Sequence, residues 1–368
     1  MAIAVPDKNE TAGVKGALVV VDHVDAVSVF DPEQFMEIVS VDRVGKMGLQ
    51  LASGIMATLA GADVIGQMKC LHGIIISESN VSTTQDMTDL VRYGKGTMKT
   101  ATPRLSEQQV ADYRHDGYII YDQPVFSPSK FADLKAFFED LLAELPSDQR
   151  PEGMDVPHFQ HPELNRWLLD DEVLDLVEPL IGSDIALFSS HFICKPKGNG
   201  KRVPWHEDSA YWIKMLAPME VVTVWLAIDP STIENGCMYV IPATHNTGKQ
   251  GFSDYDPVDK AFNVFPTEIT ATQRNDAQAK PCILQAGQAS LHDGRLIHGS
   301  PPNTSNIRRC GYTMRYIPTH VKLSEEAMSW HQIYLARGQD KAGNQYANPG
   351  RAYPELARTR VQSGKRGH

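Results

Sequence analysis

Two periodicities divide the second half of this chain from the first. Between residues 104 and 182 apolar side chains recur every three or four positions. In SPSKFADLKAFFEDLLAEL, the residues Phe131, Leu134, Phe137, Phe138, Leu141, Leu142 and Leu145 form the stripe of an amphipathic helix. The preceding LSEQQVADYRHDGYIIY places Ser106 three residues before Gln109, the pattern of a capping box. It places Gly117 where that helix ends and a strand begins. LNRWLLDDEVLDLVEPLIG adds one or two short helices, ended by Gly182. From Ile185 the pattern changes to short apolar strands separated by Gly, Pro and Asn clusters: IALFSSHFICK, VVTVWLAID, CMYVIP, ILQAGQASLHD, LIHGS and RRCGYTMRYIP.

Helices followed by many short strands predict a mainly β fold, a double-stranded β-helix of jelly-roll, cupin-like type with flanking α-helices. On this reading residues 104–336 form the folded domain, and the polar, Gly- and Arg-rich residues 337–368 form a peripheral tail. Residues 1–103 differ in texture and read as an N-terminal extension of uncertain structure. Within it, Asp31-Pro32-Glu33 has the form of a helix start, and VIGQMKCLHGIIISESN has room for a strand.

Composition narrows the function classes. With 42% hydrophobic and 22% charged residues over 368 positions, the chain has material for a large core. A net charge of -10 argues against a nucleic-acid or anionic-membrane partner, which would call for a basic patch. The five cysteines, Cys70, Cys194, Cys237, Cys282 and Cys310, are scattered and never spaced as CxxC, which points to reduced thiols. No signal, transit or membrane-spanning segment is recognisable, so a cytoplasmic protein acting on a small molecule is expected. Oligomeric state is left open.

The first chemical signal is Trp205-His206-Glu207-Asp208. On a strand, residues i and i+2 share a face, so His206 and Asp208 would project together and Glu207 away from them. A redox metal that must also take a chelating cosubstrate and dioxygen needs a third ligand and open positions, as in the two-histidine, one-carboxylate arrangement of non-haem Fe(II). His298, in LIHGS, suits that role better than His292, which precedes the turn-like Asp293-Gly294-Arg295. An isolated HxD occurs often by chance, and the same three ligands also suit zinc in a hydrolase or a metal in a non-catalytic binding protein. Arg309 shifts the balance. It lies eleven residues beyond His298, past a Pro-Pro-Asn turn, where a guanidinium can pair with the distal carboxylate of 2-oxoglutarate. Its neighbour Arg308 would point the other way, toward a surface salt bridge.

Together these segments resemble the phytanoyl-CoA dioxygenase-like (PhyH) family of Fe(II)/2-oxoglutarate-dependent oxygenases. The resemblance runs from about Leu105 to Pro318, through LSEQQVADYRHDGYIIY, VLDLVEPLIG, KPKGNGKRVPWHEDSAYW, VVTVWLAIDPSTIENGCMYVIPATH and LHDGRLIHGSPPNTSNIRRCGYTMRY. It implies that His206, Asp208 and His298 hold the catalytic iron. It further implies that Arg309 anchors 2-oxoglutarate, with Ser300 beside the same carboxylate and Trp225 packed against the cosubstrate. Tyr211 and Trp212 would line the substrate pocket. Lys195 matches a frequently basic position, and His245 matches a structural histidine. The implied reaction couples oxidation of a small organic metabolite to conversion of 2-oxoglutarate and O2 into succinate and CO2. An intact Asp208 favours hydroxylation, since halogenating relatives have a small residue there. Glu207 departs from the usual Gln, and residues 1–103 have no family counterpart.

Overall fold

The computed structural model describes residues 2–6, 16–23, 26–31, 34–40, 104–247, 251 and 253–356. The chain falls into two compact units, Met1–Lys99 and Thr100–His368. In the first, strands β1 (Ala2–Pro6), β2 (Gly16–His23), β3 (Ala26–Asp31) and β4 (Gln34–Ser40) form an antiparallel sheet in that order. This corrects the helix start expected at Asp31-Pro32-Glu33. Asp31 ends β3 and Gln34 opens β4, and the two pair as antiparallel partners. The segment VIGQMKCLHGIIISESN lies outside the described residues.

In the second unit, helix α1 (Glu107–Asp116) begins with the full capping box of Ser106 and Gln109. It ends at Gly117, whose φ of 80° only glycine adopts without strain. Helix α2 (Pro128–Ala143) buries Leu134, Phe138 and Leu141. Helix α3 (Asp171–Ile181) is capped by the Asp170 side chain and buries Val173, Leu174, Leu176 and Val177.

The strands that follow are β5 (Tyr118–Tyr121), β6 (Ile185–Lys195), β7 (Val203–His206), β8 (Val222–Ala227), β9 (Tyr239–Val240), β10 (Tyr255–Pro257), β11 (Thr267–Ile269), β12 (Lys280–Pro281), β13 (Ala289–Asp293), β14 (His298–Ser300), β15 (Arg309–Pro318) and β16 (Tyr334–Arg337). They build a large sheet in the order β16-β6-β15-β8-β13-β5 and a small one in the order β12-β9-β14-β7, with β10 and β11 as a separate hairpin. All the pairings are antiparallel, as a jelly roll requires.

Alternation along β15 explains where the core and the site lie. Cys310, Tyr312, Met314 and Tyr316 join Val222, Val224 and Leu226 of β8 and the apolar faces of the helices in the main core. Phe192 of β6 stacks on Tyr312 with ring centroids 3.9 Å apart. Each such side chain contributes about 1.5–3 kcal/mol by leaving water. The intervening residues Arg309, Gly311, Thr313 and Arg315 take the opposite face, which is buried yet polar.

The expected boundary at residue 337 does not fall at a domain edge. Arg337 ends β16 and ion-pairs with Asp171, Asp175 and Glu178 along α3. Beyond it, Thr319 donates to the Gln339 carbonyl at 2.7 Å, Asn344 to the Val321 carbonyl at 2.8 Å and Asn165 to the Pro349 carbonyl at 2.8 Å. The segment is polar because its groups satisfy backbone and amide groups of the barrel, which composition alone does not reveal. Cys194, Cys237, Cys282 and Cys310 are buried and unpaired. Among the described residues no helix is long and apolar enough to cross a membrane.

Candidate active site

His206 and His298 face each other as direct cross-strand partners of β7 and β14, with ring centroids 4.1 Å apart. Each ring donates its Nδ1–H to the carbonyl two residues earlier, His206 to Pro204 at 2.8 Å and His298 to Leu296 at 2.9 Å. That fixes the tautomer and leaves both Nε2 lone pairs for a metal. Asp208 reaches the same point by a route that differs from the expected strand. β7 stops at His206, and Asp208 has helical backbone (φ -59°, ψ -34°) at the head of a one-turn helix, Ser209–Trp212. The turn brings its Oδ1 to 3.7 Å from His206 Nε2.

The three ligand atoms lie within 4.8 Å of one another. All three residues are buried, and Asp208 Oδ2 has no hydrogen-bond partner among the described residues. Burial pushes the Asp208 carboxyl upward, but the Arg315 guanidinium and the nearby His206 and His298 outweigh it. The group is therefore held well below the usual carboxylate range. Burial, followed by the nearness of His206, pushes His298 well below the usual imidazole value. Two neutral imidazoles and a carboxylate, poised deprotonated and converging from one side, are the donor set that suits Fe(II) with positions left open. Glu207 takes no part. Its carboxylate accepts a hydrogen bond from Ser253 Oγ at 2.7 Å and so ties β7 to the segment leading into β10.

A second cluster of charge occupies the other end of the polar face. Arg309 is 2% exposed, and among the described residues no carboxylate lies within ion-pair distance of it. Its Nε has no hydrogen-bond partner, and its guanidinium lies over the Trp225 ring at 4.9 Å from the centroid. Burial lowers its pKa to about 10. The indole can lie there because position 311 is glycine: a Cβ on Gly311 would come within 2.0 Å of Trp225 Cζ2. Lys195, opposite Arg309 on β6, is fully buried and donates to Ser300 Oγ at 2.7 Å and to the Pro301 carbonyl. Burial, with Arg309 close by, lowers its pKa well below the ordinary lysine value. Lys195, which by resemblance only matches a frequently basic position, is thus aimed by the fold at Ser300, the hydroxyl expected beside the cosubstrate.

One cavity contains both clusters, lined by His206, Asp208 and His298, by Trp225, Ser300 and Arg309, and also by His292, Thr313 and Arg315. Phe265 also lines it and packs on His206 at 4.9 Å between centroids. Tyr211 stands at the rim of this group, 6.1 Å from His206 and 5.7 Å from Phe265. Trp212 is placed differently from the expectation that it lines the pocket. It is fully buried in a second apolar core with Phe188 and Met215, because the turn after Asp208 directs it inward. The Arg315 guanidinium, which lines the cavity, lies 5.3 Å from its ring. His292 lies beside the triad, 4.9 Å from His298, with burial lowering its pKa to about 4. Arg315 was missed by the sequence reading. The signal was present, since alternation from Arg309 carries positions 311, 313 and 315 to the same face. Arg308 points outward to Asp229 and Glu139, and His245 donates to the Arg114 carbonyl at the end of α1.

Comparison with known proteins agrees with this geometry. The family model described as phytanoyl-CoA dioxygenase (PhyH) matches residues 113–311, more than half of the chain. A phytanoyl-CoA dioxygenase domain-containing protein 1 homolog of Dictyostelium discoideum is 28% identical over 274 residues, covering 62% of this chain and 97% of that protein. A probable alpha-ketoglutarate-dependent hypophosphite dioxygenase of Stutzerimonas stutzeri is 27% identical over 157 residues, covering 42% of this chain and 52% of that one. Among solved structures, the apo form of the non-heme monooxygenase ThoJ superposes with a TM-score of 0.55 at 21% identity, covering 70% of this chain and 95% of that chain, which shows a shared fold. The chain belongs to the phytanoyl-CoA dioxygenase (PhyH) family of Fe(II)- and 2-oxoglutarate-dependent oxygenases.

Proposed function

We propose that this chain hydroxylates, or otherwise oxidises, a small organic molecule at a metal held by His206, Asp208 and His298, with 2-oxoglutarate anchored by Arg309 and Ser300. The observation that carries the reading is Arg309: a buried guanidinium without a carboxylate partner among the described residues, in the same cavity as three converging metal ligands. A zinc hydrolase would leave that charge without a purpose. In the net reaction one oxygen atom of O2 enters the substrate C–H bond. The other enters succinate, as 2-oxoglutarate loses CO2 and supplies two electrons. Iron(II) bound at the triad supplies the oxygen chemistry.

The protein's own part is positioning. The backbone bonds to Nδ1 hold the two imidazoles in ligating orientation before any metal arrives, and Arg315 keeps Asp208 ionised. Arg309 fixes the far carboxylate of the cosubstrate, Ser300, held from behind by Lys195, presents its hydroxyl beside it, and the Trp225 ring limits its sideways movement. Phe265 covers the His206 side and keeps water away. Tyr211 is the substrate-facing side chain in this reading. By its name the S. stutzeri relative is a probable dioxygenase of hypophosphite, a small anion. The test is a metabolite screen on anaerobically reconstituted enzyme, scored by succinate release that depends on both substrate and O2. We expect Asp208→Ala to abolish that release. Iron binding with no such release for any metabolite would favour a non-catalytic binding protein.

A further inference from the structure

We propose that Arg315, with His292 and Thr223, forms a second anion-binding subsite, which holds a carboxylate of the substrate beside the metal ligands. It deepens the oxygenase reading above and rests on it. Thr223 of β8 pairs with His292 of β13 on one side and with Arg315 of β15 on the other, so the three make one row across the large sheet. They are 0%, 1% and 3% exposed. Thr223 Oγ1, both nitrogens of His292 and Arg315 Nε have no hydrogen-bond partner among the described residues. His292 and Arg315 line the cavity. A run of adjacent orphaned polar groups is costly to bury unless a ligand satisfies them.

Charge selects the ligand. Arg315 faces Asp208, whose Oδ2 lies 3.6 Å from its Nε, beyond hydrogen-bond length. Its other polar contact is a long bond of 3.4 Å to Ser189 Oγ. Once a divalent ion binds, Asp208 and the near carboxylate of 2-oxoglutarate offset its two positive charges, and the far carboxylate offsets Arg309. Glu152, the other carboxylate lining the cavity, is already engaged by Arg150 at 2.6 Å. Arg315 is then left as an enclosed cation lacking one negative charge. A guanidinium, an imidazole N–H and a hydroxyl in one row offer several donors to a planar two-oxygen anion, whereas a carboxamide brings one acceptor and no charge. Because the subsite adjoins Asp208, the carbon oxidised is expected within a few bonds of that carboxylate.

The test uses the full-length protein loaded anaerobically with Fe(II) and 2-oxoglutarate, whose visible absorption reports events near iron. It is titrated with matched pairs, butyrate against butyramide and phenylacetate against phenylacetamide. We expect each acid to bind at least tenfold more tightly than its amide. The preference, a ratio in which any change in iron or 2-oxoglutarate binding cancels, should fall below threefold in Arg315→Gln and survive in part in Arg315→Lys. Equal affinity for acid and amide in the unaltered protein, or binding of neither, overturns the subsite without recourse to any variant. An acid preference that persists at tenfold in Arg315→Gln also overturns it, because the guanidinium would then not be the partner of the anion. If no absorbing complex forms with Fe(II) and 2-oxoglutarate, the oxygenase reading itself fails before any acid is added, and the subsite falls with it.

Discussion

Arg309 shows how a site residue can cost stability and serve function at once. A guanidinium buried without a counter-ion destabilises the empty protein, and the same charge becomes favourable when a carboxylate enters. Arg309→Met is therefore expected to raise the melting temperature of the ligand-free protein by the equivalent of about 1–3 kcal/mol. It should weaken 2-oxoglutarate on the order of a hundredfold in KM, the scale of losing a buried charge pair. Calorimetry and succinate kinetics on one preparation check both signs. His292 gives a pH prediction. Its folded pKa of about 4 lies below the unfolded value near 6.5, so the unfolded chain binds more protons between those limits. Stability is then full above about pH 6.5 and falls as pH drops toward 4, with a slope approaching about 1.4 kcal/mol per pH unit from this group. In metal-free protein, denaturant melts at stepped pH should show a shallower slope for His292→Gln than for the parent.

At the level of elements, the site depends on three adjacent strands keeping register. Trp225 lies over Arg309 because the neighbouring strand has no side chain at Gly311. Gly311→Ala must push the indole aside, which should cost about 1–3 kcal/mol in stability. It should also raise the 2-oxoglutarate KM several-fold while iron affinity is kept, and a variant with unchanged KM would show that the indole does not position the anchor. Most of these strands were readable from sequence because alternation and turn residues are local signals: IALFSSHFICK and RRCGYTMRYIP contain β6 and β15, and the Ser106–Gln109 capping box is present as read. What escaped was set by distance in space. The end of β7 at His206, the inward turn of Trp212 and the pairing of Thr223 with both His292 and Arg315 come from packing between segments far apart in the chain. The hairpin of β10 and β11 is short and polar, so no hydrophobic run announced it.

For the whole molecule, the question is what the first hundred residues contribute. Among the described residues, all those that line the site cavity lie between Glu152 and Arg315, and the family match spans residues 113–311, both within the second unit. Arg104 is the first described residue of that unit. It donates to the Val125 carbonyl at 2.7 Å, the Pro124 carbonyl at 2.6 Å and the Glu172 carbonyl, and so fastens the start of α1 to the segment after β5 and to α3. A cut within residues 105–116 would lose those bonds and the Ser106 cap, whereas a cut before Thr100 spares them. A protein lacking residues 1–99 is therefore expected to keep its metal and 2-oxoglutarate affinities within about twofold and the main melting transition unchanged. Arg104→Ala in the intact chain should lower that transition by the equivalent of about 1 kcal/mol, because the part-buried carbonyls of Val125 and Glu172 lose their donor. Parallel melts and 2-oxoglutarate titrations of the two proteins separate the possibilities. A truncated protein that lost 2-oxoglutarate binding would assign the first unit a direct part in the site.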